Sequence, residues 1–571
     1  MPGQIEDKYG LLSTLAKRRG FFWSSFEIYG GVGGFLDLGP PGLELKNLIV
    51  ETWRETLLRP HGFVEISTPI ITPHRLLVAS GHVENFKDPM IECTNCRRRF
   101  RADQLVKEKT GIETEGKSLE ELDSLIKQKG VKCPECGGIL GSPQYFVTMF
   151  KTSIGPYGED VAYGRPEAAQ GIFVDFRRVF EVMREHFPLG IGQVGTVLRN
   201  EISPRQGPIR LREFTIMDFE LFYNPQQPDC PFLSDVANDN LPIVTEETRR
   251  AGKEEVTKIP AGEAVKRGLV KTPWAGYFMC IALRLLKKLG IDVASVRFFE
   301  KLAGERAHYS LQTFDLEVLL DRLGWVEVAG IAYRGDYDLR KHMEATGVDM
   351  SVFQAYEKPV EKTVKMVRVR HDRLRDKFGQ ESGKVAKVLA GQDLLALVSG
   401  KGPVKAGGYE IPMDCFEVKE TKTRDAGSRF VPHVIEPSFG VERVVYATME
   451  YALRMKEDRV VLSLPFDLAP FQASVYPLVN RDGLEEKAGL IYKLLLSNGV
   501  RTDYDEAGSI GRRYARADEA GVPFGVTVDY ETLKNDTVTL RDRDSWKQIR
   551  VPISQLTATI KQAGEKGFEK F

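Results

Sequence analysis

Two separated stretches constrain this chain more than anything else in it: Val197-Leu-Arg-Asn-Glu-Ile-Ser-Pro-Arg205, running on to Arg210-Leu-Arg-Glu-Phe214, and Ile435-Glu-Pro-Ser-Phe-Gly-Val-Glu-Arg443. The first reads as a strand, a Pro/Gly turn and a second strand, and period two puts Arg199 and Glu201 on one face. A guanidinium at Arg199 can fork onto a phosphate, a carboxylate at Glu201 can accept from an exocyclic amine, and Phe214 can stack on a base. The second stretch joins a small residue, Gly440, to a cation at Arg443. Either stretch alone is a weak signal. Together they describe a clamp for a purine and its phosphates.

Composition narrows the setting. At 571 residues the chain has room for three or four domains of roughly 150 residues. Lys+Arg and Asp+Glu number 80 each, so nucleic-acid binding would need local basic patches rather than a basic whole. No apolar run approaches the roughly 18 residues of a membrane span. The opening residues lack a basic end followed by an apolar core, so no signal peptide is expected. Seven cysteines, four of them in two Cys-x-x-Cys pairs, favour a reducing compartment with a metal site over a disulfide framework.

Along the chain, Pro40 and Pro41 suit a helix start, and Leu45, Leu48, Ile49, Trp53 and Leu57 recur at helical spacing up to a stop at Gly62. A strand, Phe63–Ile66, should follow. Residues 91–141 look inserted, 142–225 are strand-rich, 226–320 look like a second insertion with an apolar helix near Phe278–Leu289, and 321–349 are strand-like. A third insertion is expected over 350–408, carrying the basic run Lys365–Arg373, before 409–458 returns to the sheet. From 459 to 571 strands and helices alternate, which implies a separate α/β domain with a mixed sheet.

The helix–strand unit within residues 1–90 and the two opening stretches resemble motifs 1, 2 and 3 of the class II aminoacyl-tRNA synthetases. Arg165-Pro-Glu-Ala-Ala-Gln-Gly171, Gln193-Val-Gly195, Glu436-Pro-Ser438 and Gly508-Ser-Ile-Gly-Arg-Arg-Tyr-Ala-Arg516 narrow this to the glycyl-tRNA synthetases of the dimeric archaeal and eukaryotic type. The resemblance covers nearly the whole chain, least well in the insertions. It implies an α+β class II catalytic domain (an antiparallel sheet flanked by helices), a C-terminal α/β anticodon-binding domain, a homodimer, a cytoplasmic setting, and ATP with Mg²⁺. The implied reaction activates glycine to glycyl-adenylate and passes it to the 3′ end of tRNA(Gly).

The same resemblance assigns roles. Arg199, Asn200, Glu201, Arg210, Leu211, Phe214, Glu327, Val328 and Arg443 would form the ATP site, with Arg199 at the α-phosphate, Arg210 and Arg443 at the outer phosphates, and Glu327 as the carboxylate for the metal. Glu167, Asp218 and Glu436 would surround the glycine ammonium. Ser438, beside Pro437, would lie against the α-carbon, and Arg334 would bind the carboxylate. Position 218 departs from the family pattern, which usually has Glu there; Asp is one methylene shorter, and Glu220 on the same strand face is the acid placed to compensate. His82 and His308 are read as positioning groups. A sibling synthetase for serine, threonine or proline is disfavoured by Glu436-Pro-Ser438 and by Arg165–Gly171. A noncatalytic, RNA-binding relative is disfavoured because Arg199, Glu201, Phe214 and Arg443 are all present.

Cys93-Thr-Asn-Cys96 and Cys133-Pro-Glu-Cys136 bracket one insertion, and each turn can aim two thiolates at one tetrahedral Zn²⁺. Two unliganded structural pairs and a redox dithiol are the alternatives. Three basic clusters could meet tRNA: Arg97–Arg101, Lys365–Arg373, and Arg512, Arg513 and Arg516 at a helix start, where amides and guanidinia both favour phosphate. Solvated faces, or salt bridges to Asp503, Asp518 and Glu519, are the competing readings.

Overall fold

A computed structural model describes residues 7–114, 116–156, 158, 160–204, 207–399 and 402–570. Arg205, the last residue of the first stretch, and the extreme N-terminus lie outside the described residues. The chain forms two compact units: Met1–Met350 with Pro432–Phe571, and Ser351–Val431.

The larger unit is built on a nine-stranded sheet. Its strands are β1 (Val64–Glu65), β2 (Leu189–Leu198), β3 (Glu213–Tyr223), β4 (Asn240–Val244), β5 (Thr257–Pro260), β6 (Val296–Glu300), β7 (Gln312–Leu320), β8 (Gly324–Gly335) and β9 (His433–Gly440). They lie in the order β5-β4-β6-β7-β8-β9-β3-β2-β1. Pairing is antiparallel except between β1 and β2 and between β4 and β6.

Alternation along β3 divides the sheet. Met217, Phe219 and Leu221 join the main core with Trp53, Trp274 and Phe278, from helices α1 (Pro40–Trp53) and, further along the chain, Pro273–Lys288. The residues between them, Phe214, Ile216, Asp218 and Glu220, point to the opposite face, where the polar groups gather. Pro40 at the helix start and Gly62 (φ 67) at the end behave as the sequence suggests, but α1 does not run straight to Gly62. It passes through a π turn, Arg54–Leu58, and a 3-10 turn, Arg59–His61.

Residues 226–320 are less an insertion than the sequence suggests. Their polar, Pro-rich opening conceals β4 to β7, and Leu241, Ile243, Phe298 and Leu316 sit in the same core as β3. The 350–408 segment also ends later than expected. Its ribbon, Val352–Val369 paired with Phe416–Phe430, closes only near 430, over a small core of Leu374, Val385, Leu389 and Ile411.

The C-terminal region has its own core and a five-stranded sheet of β10 (Ala473–Pro477), β11 (Thr502–Tyr504), β12 (Phe524–Val528), β13 (Thr537–Asp542) and β14 (Gln548–Pro552), ordered β11-β10-β12-β13-β14. Three strands are parallel and the last two antiparallel, the mixed sheet expected. Among the described residues no helix is long and apolar enough to cross a membrane.

Candidate active site

On the polar face of the sheet lies a cleft of about 440 Å³. Arg199, Glu201, Arg210, Leu211, Phe214, Glu327, Val328 and Arg443 line it, together with Glu167, Asp218, Glu436 and Ser438. Thus the two stretches, more than 200 residues apart in sequence, meet because β3 and β9 are hydrogen-bonded neighbours. The register sets Gly330 of β8 against Ser438 and Ala332 against Glu436. Small residues on β8 therefore leave room above the floor where a larger side chain would fill it.

Arg199 and Glu201 converge on the cleft by a route the sequence did not suggest. They lie beyond β2, in the loop rather than on a strand face. Arg199 N–H donates to Arg212 O at 2.8 Å, and Glu201 N–H turns back to Arg199 O at 2.8 Å. The Arg199 guanidinium sits between two rings, 5.4 Å from Phe214 and 5.5 Å from Phe86, and its Nε donates to Pro166 O at 3.0 Å. Across the cleft Arg210 pairs with Glu201 at 2.7 Å, and Arg443 with Glu327 at 3.1 Å. Asn200 does not line the cleft; its N–H is tied to Thr148 O at 2.7 Å. Pro437 does not either, because period two turns it to the other face of β9.

Arg334 lies apart from the other site residues. It is fully buried behind the cleft and absent from its lining. Its Nε and Nη2 donate to Asp338 at 2.9 and 3.0 Å, and its Nη1 donates to Glu436 at 2.8 Å. Tyr309 covers the guanidinium at 3.6 Å from the ring centroid. The guanidinium also has Glu167 at 3.6 Å, so three carboxylates already surround it. It sets the position of Glu436.

The acids differ in their surroundings, and so in their protonation. Burial raises Glu167, but His82 and Arg334 outweigh it and hold that carboxyl below its ordinary range. His82 Nε2 lies 3.1 Å from Glu167, His82 Nδ1 lies 2.8 Å from Ser80 Oγ, and His308 Nε2 lies 2.9 Å from Ser80 O. The two histidines are thus braces for Glu167. Burial pushes Asp218 up to about 6. It pushes Glu436 up to about 8, with Arg334 opposing and Asp218 and Glu167 reinforcing. Neither oxygen of Asp218 or of Glu220 completes a hydrogen bond. Buried carboxylates without donors are costly, and this end of the cleft is built to receive a cation.

Sequence reasoning missed several cleft residues. Phe86, Lys301, Glu305, Arg306, Tyr309 and Asp315 all reach it. They come from segments read as peripheral, and only the chain's path brings them in. Gly195 carried a sharper signal: a Cβ there would stand 2.0 Å from Arg165 Nη2. That guanidinium passes over Gly195 to reach Thr196 O at 2.8 Å and Thr68 O at 3.0 Å, fixing the Glu167 loop.

In the 91–141 insertion the four cysteines converge. Cys93 and Cys136 sulfurs are 3.6 Å apart, Cys96 and Cys133 3.7 Å, and all four lie within 4.8 Å of one another. Four sulfurs about 2.3 Å from a tetrahedral zinc would be about 3.8 Å apart. Each Cys-x-x-Cys turn ends on a left-handed residue, Arg97 (φ 59) and Gly137 (φ 68). The donor set fits a structural zinc.

The arginine clusters fare differently. Arg97 and Arg99 pair with Glu92, Arg98 with Glu135, and Arg101 with Asp88 and Asp103. Arg513 is buried on the carbonyls of Pro477, Glu506 and Gly508. Arg516 pairs with Asp505, not with the acids expected from sequence. Asp518 takes Arg541, and Glu519 takes Arg18 and Arg19. Arg512 stays exposed.

Known proteins decide the family. A family model described as an anticodon binding domain matches residues 472–563. A glycine–tRNA ligase of Aeropyrum pernix is 48% identical over 98% of this chain and 97% of its own length. Those of Pyrococcus horikoshii and Methanocaldococcus jannaschii are 45% and 43% identical, over 97% and 98% of this chain and 98% and 99% of theirs. The chain belongs to the glycine–tRNA ligase family. The glycine–tRNA ligase fold also extends to a crystal structure of prolyl-tRNA synthetase from Cryptosporidium parvum with halofuginone and AMPPNP. It superposes with a TM-score of 0.52 at 13% identity, over 100% of this chain and 80% of that one, a likeness of fold alone.

Proposed function

We propose that this glycine–tRNA ligase activates glycine with ATP in the cleft and then charges tRNA(Gly), with roles divided as follows. The observation that carries the reading is the acid-lined end of the cleft, where Glu167, Asp218 and Glu436 stand beside Ser438. Three carboxylates enclose an ammonium, and Ser438 lies where a larger amino acid would need space; excluding side chains by collision is effective for so small a substrate. Arg199 lines the cleft between Phe86 and Phe214, and its Nε is tied to Pro166 O. It takes the glycine carboxylate and the α-phosphate together, the task first expected of Arg334.

Phe214 stacks on adenine and Glu201 accepts from its amine, with Leu211 and Val328 completing the apolar walls. Arg210 and Arg443 exchange their present carboxylate partners for the outer phosphates. Glu327 would hold Mg²⁺, which supplies charge neutralisation at those phosphates. A glycine carboxylate oxygen attacks the α-phosphorus, the bond to the bridging oxygen breaks, and pyrophosphate leaves. A hydroxyl of the terminal tRNA ribose then attacks the glycyl carbonyl and AMP departs. No side chain becomes covalently attached; the residues orient the reactants and neutralise charge.

Zn²⁺ on Cys93, Cys96, Cys133 and Cys136 stabilises the insertion, whose Gln104 accepts from Arg210 at 2.8 Å. A homodimer is supported by the exposed apolar residues of the turn Glu27–Tyr29, Ile28 and Tyr29, at 90% and 85% exposure. A cytoplasmic location follows from the reaction. Amino-acid-dependent ATP–pyrophosphate exchange tests the assignment, with glycine run beside alanine, serine, threonine and proline. Exchange with glycine alone supports it. Exchange with another amino acid moves the substrate, and no exchange from folded, magnesium-supplied protein refutes the active site.

A further inference from the structure

Glu220 stands in an unusual position among the acids of this site. It follows Asp218 by two residues on the same face of β3, yet it does not line the cleft. It is 0% exposed, and neither of its oxygens completes a hydrogen bond. One oxygen each from Asp218, Glu220 and Glu436 lie within 4.8 Å of one another. The charged groups facing it are Glu436 from β9, Arg334 from β8, Asp218 from its own strand, and Asp338 just beyond β8.

That is three acids and one cation, and the cation is already held by Asp338 and Glu436. An ionised Glu220 would be buried without a counter-charge. Burial, then Glu436, accordingly pushes its carboxyl well above the ordinary range. In acid form it gains what its neighbours lack, an O–H donor. Glu436 Oε2 accepts from Arg334, and the Glu436 carboxylate brings an oxygen within 4.8 Å of one of Glu220.

We propose that Glu220 is a positioning residue that remains a neutral carboxylic acid while Asp218 and Glu436 ionise, and that it donates its O–H to Glu436 to hold that carboxylate against the glycine ammonium. The proposal rests on the reading of the acid end as the glycine site. It gives two acids on one strand opposite tasks: Asp218 meets the substrate as a charge, and Glu220 supports the site as a donor. A shorter Asp at 218 does not then require Glu220 to reach the ammonium.

The test compares wild-type enzyme, E220L and E220Q by glycine-dependent ATP–pyrophosphate exchange from pH 6 to 8.5. E220L removes the donor, and the glycine KM should rise about tenfold or more with the ATP KM unchanged. E220Q restores a neutral donor of the same shape and should recover most of that loss, with an unshifted pH profile. A glycine KM in E220Q as poor as in E220L, or a displaced profile, would show that Glu220 acts as a charge. A wild-type KM in E220L would reduce Glu220 to filler.

Infrared spectroscopy covers the case in which E220L fails to fold. At pH 8 the wild-type minus E220Q difference should contain the carbonyl band of a protonated carboxylic acid, and its absence overturns the proposal. Failure of the wild-type enzyme to exchange with glycine would instead strike at the glycine reading. The infrared band does not depend on activity and separates the two failures.

Discussion

Glycine binding should be coupled to proton release, and the structure gives the size of the coupling. Without substrate, burial raises Asp218 to about 6 and Glu436 to about 8. An ammonium placed among them favours the ionised form of both. At pH 7 a group of pKa about 8 is about nine-tenths protonated and one of about 6 about one-tenth, so roughly one proton should leave per glycine bound. Affinity therefore rises with pH, and between pH 6 and 8 the two titrations together tighten binding about a hundredfold.

The stability sign is consistent. Both carboxyls have folded pKa values above their unfolded ones, so the free protein loses stability as pH climbs from the unfolded values, about 4, through 6 to 8. Glycine offsets this loss, and its stabilising effect on Tm should grow over that window. Calorimetric titration at pH 7 in buffers of different ionisation enthalpy counts the proton directly. E436Q should remove most of it. Heats that do not vary with buffer, together with an affinity flat from pH 6 to 8, would refute the electrostatic reading of the pocket.

Replacing Arg334 by Gln strands Asp338 and Glu436 as buried acids and should cost about 3–5 kcal/mol in a denaturant titration, where an unchanged midpoint would contradict the bracing role. G195A puts a methyl 2.0 Å from Arg165 Nη2 and should cost about 1–3 kcal/mol, read as a lower Tm; a neutral result would mean that Arg165 does not need its path over Gly195. Atomic emission should find about one zinc per chain, lost when Cys96 and Cys133 are both changed to Ser; zinc retained in the double variant would place the metal elsewhere.

Much of the site was legible because its chemistry is concentrated in short stretches. Arg199, Glu201, Phe214 and Arg443 could be named, and they do share one cleft. The partners of Arg334 were not legible for a physical reason: sequence shows a cation near carboxylates but not which of them reaches it first. Asp338, four residues on, reaches back to it from the first turn of the helix that follows β8. His82 reads as a positioning group, but what it positions shows only in the fold, which sets it 3.1 Å from Glu167. Residues 226–320 looked inserted because the polar, Pro-rich opening leaves no local trace of strands that pair among themselves and join the main sheet only through β7 and β8.

Local rules, then, set what local forces control. The Pro-led helix, the Gly62 stop, the alternation that sends Asp218 and Glu220 to one face, and the Cys-x-x-Cys turns follow from sterics and spacing within a few residues. The tertiary structure decided what depends on burial and company. Five acids around one buried arginine cannot all be charged, and their ranking comes from which strand lies beside which. That pairing separates Glu167, held ionised by His82 and Arg334, from Glu220, enclosed by acids. Two glutamates alike in sequence acquire opposite protonation because desolvation and Coulomb energy depend on distance in space and not along the chain.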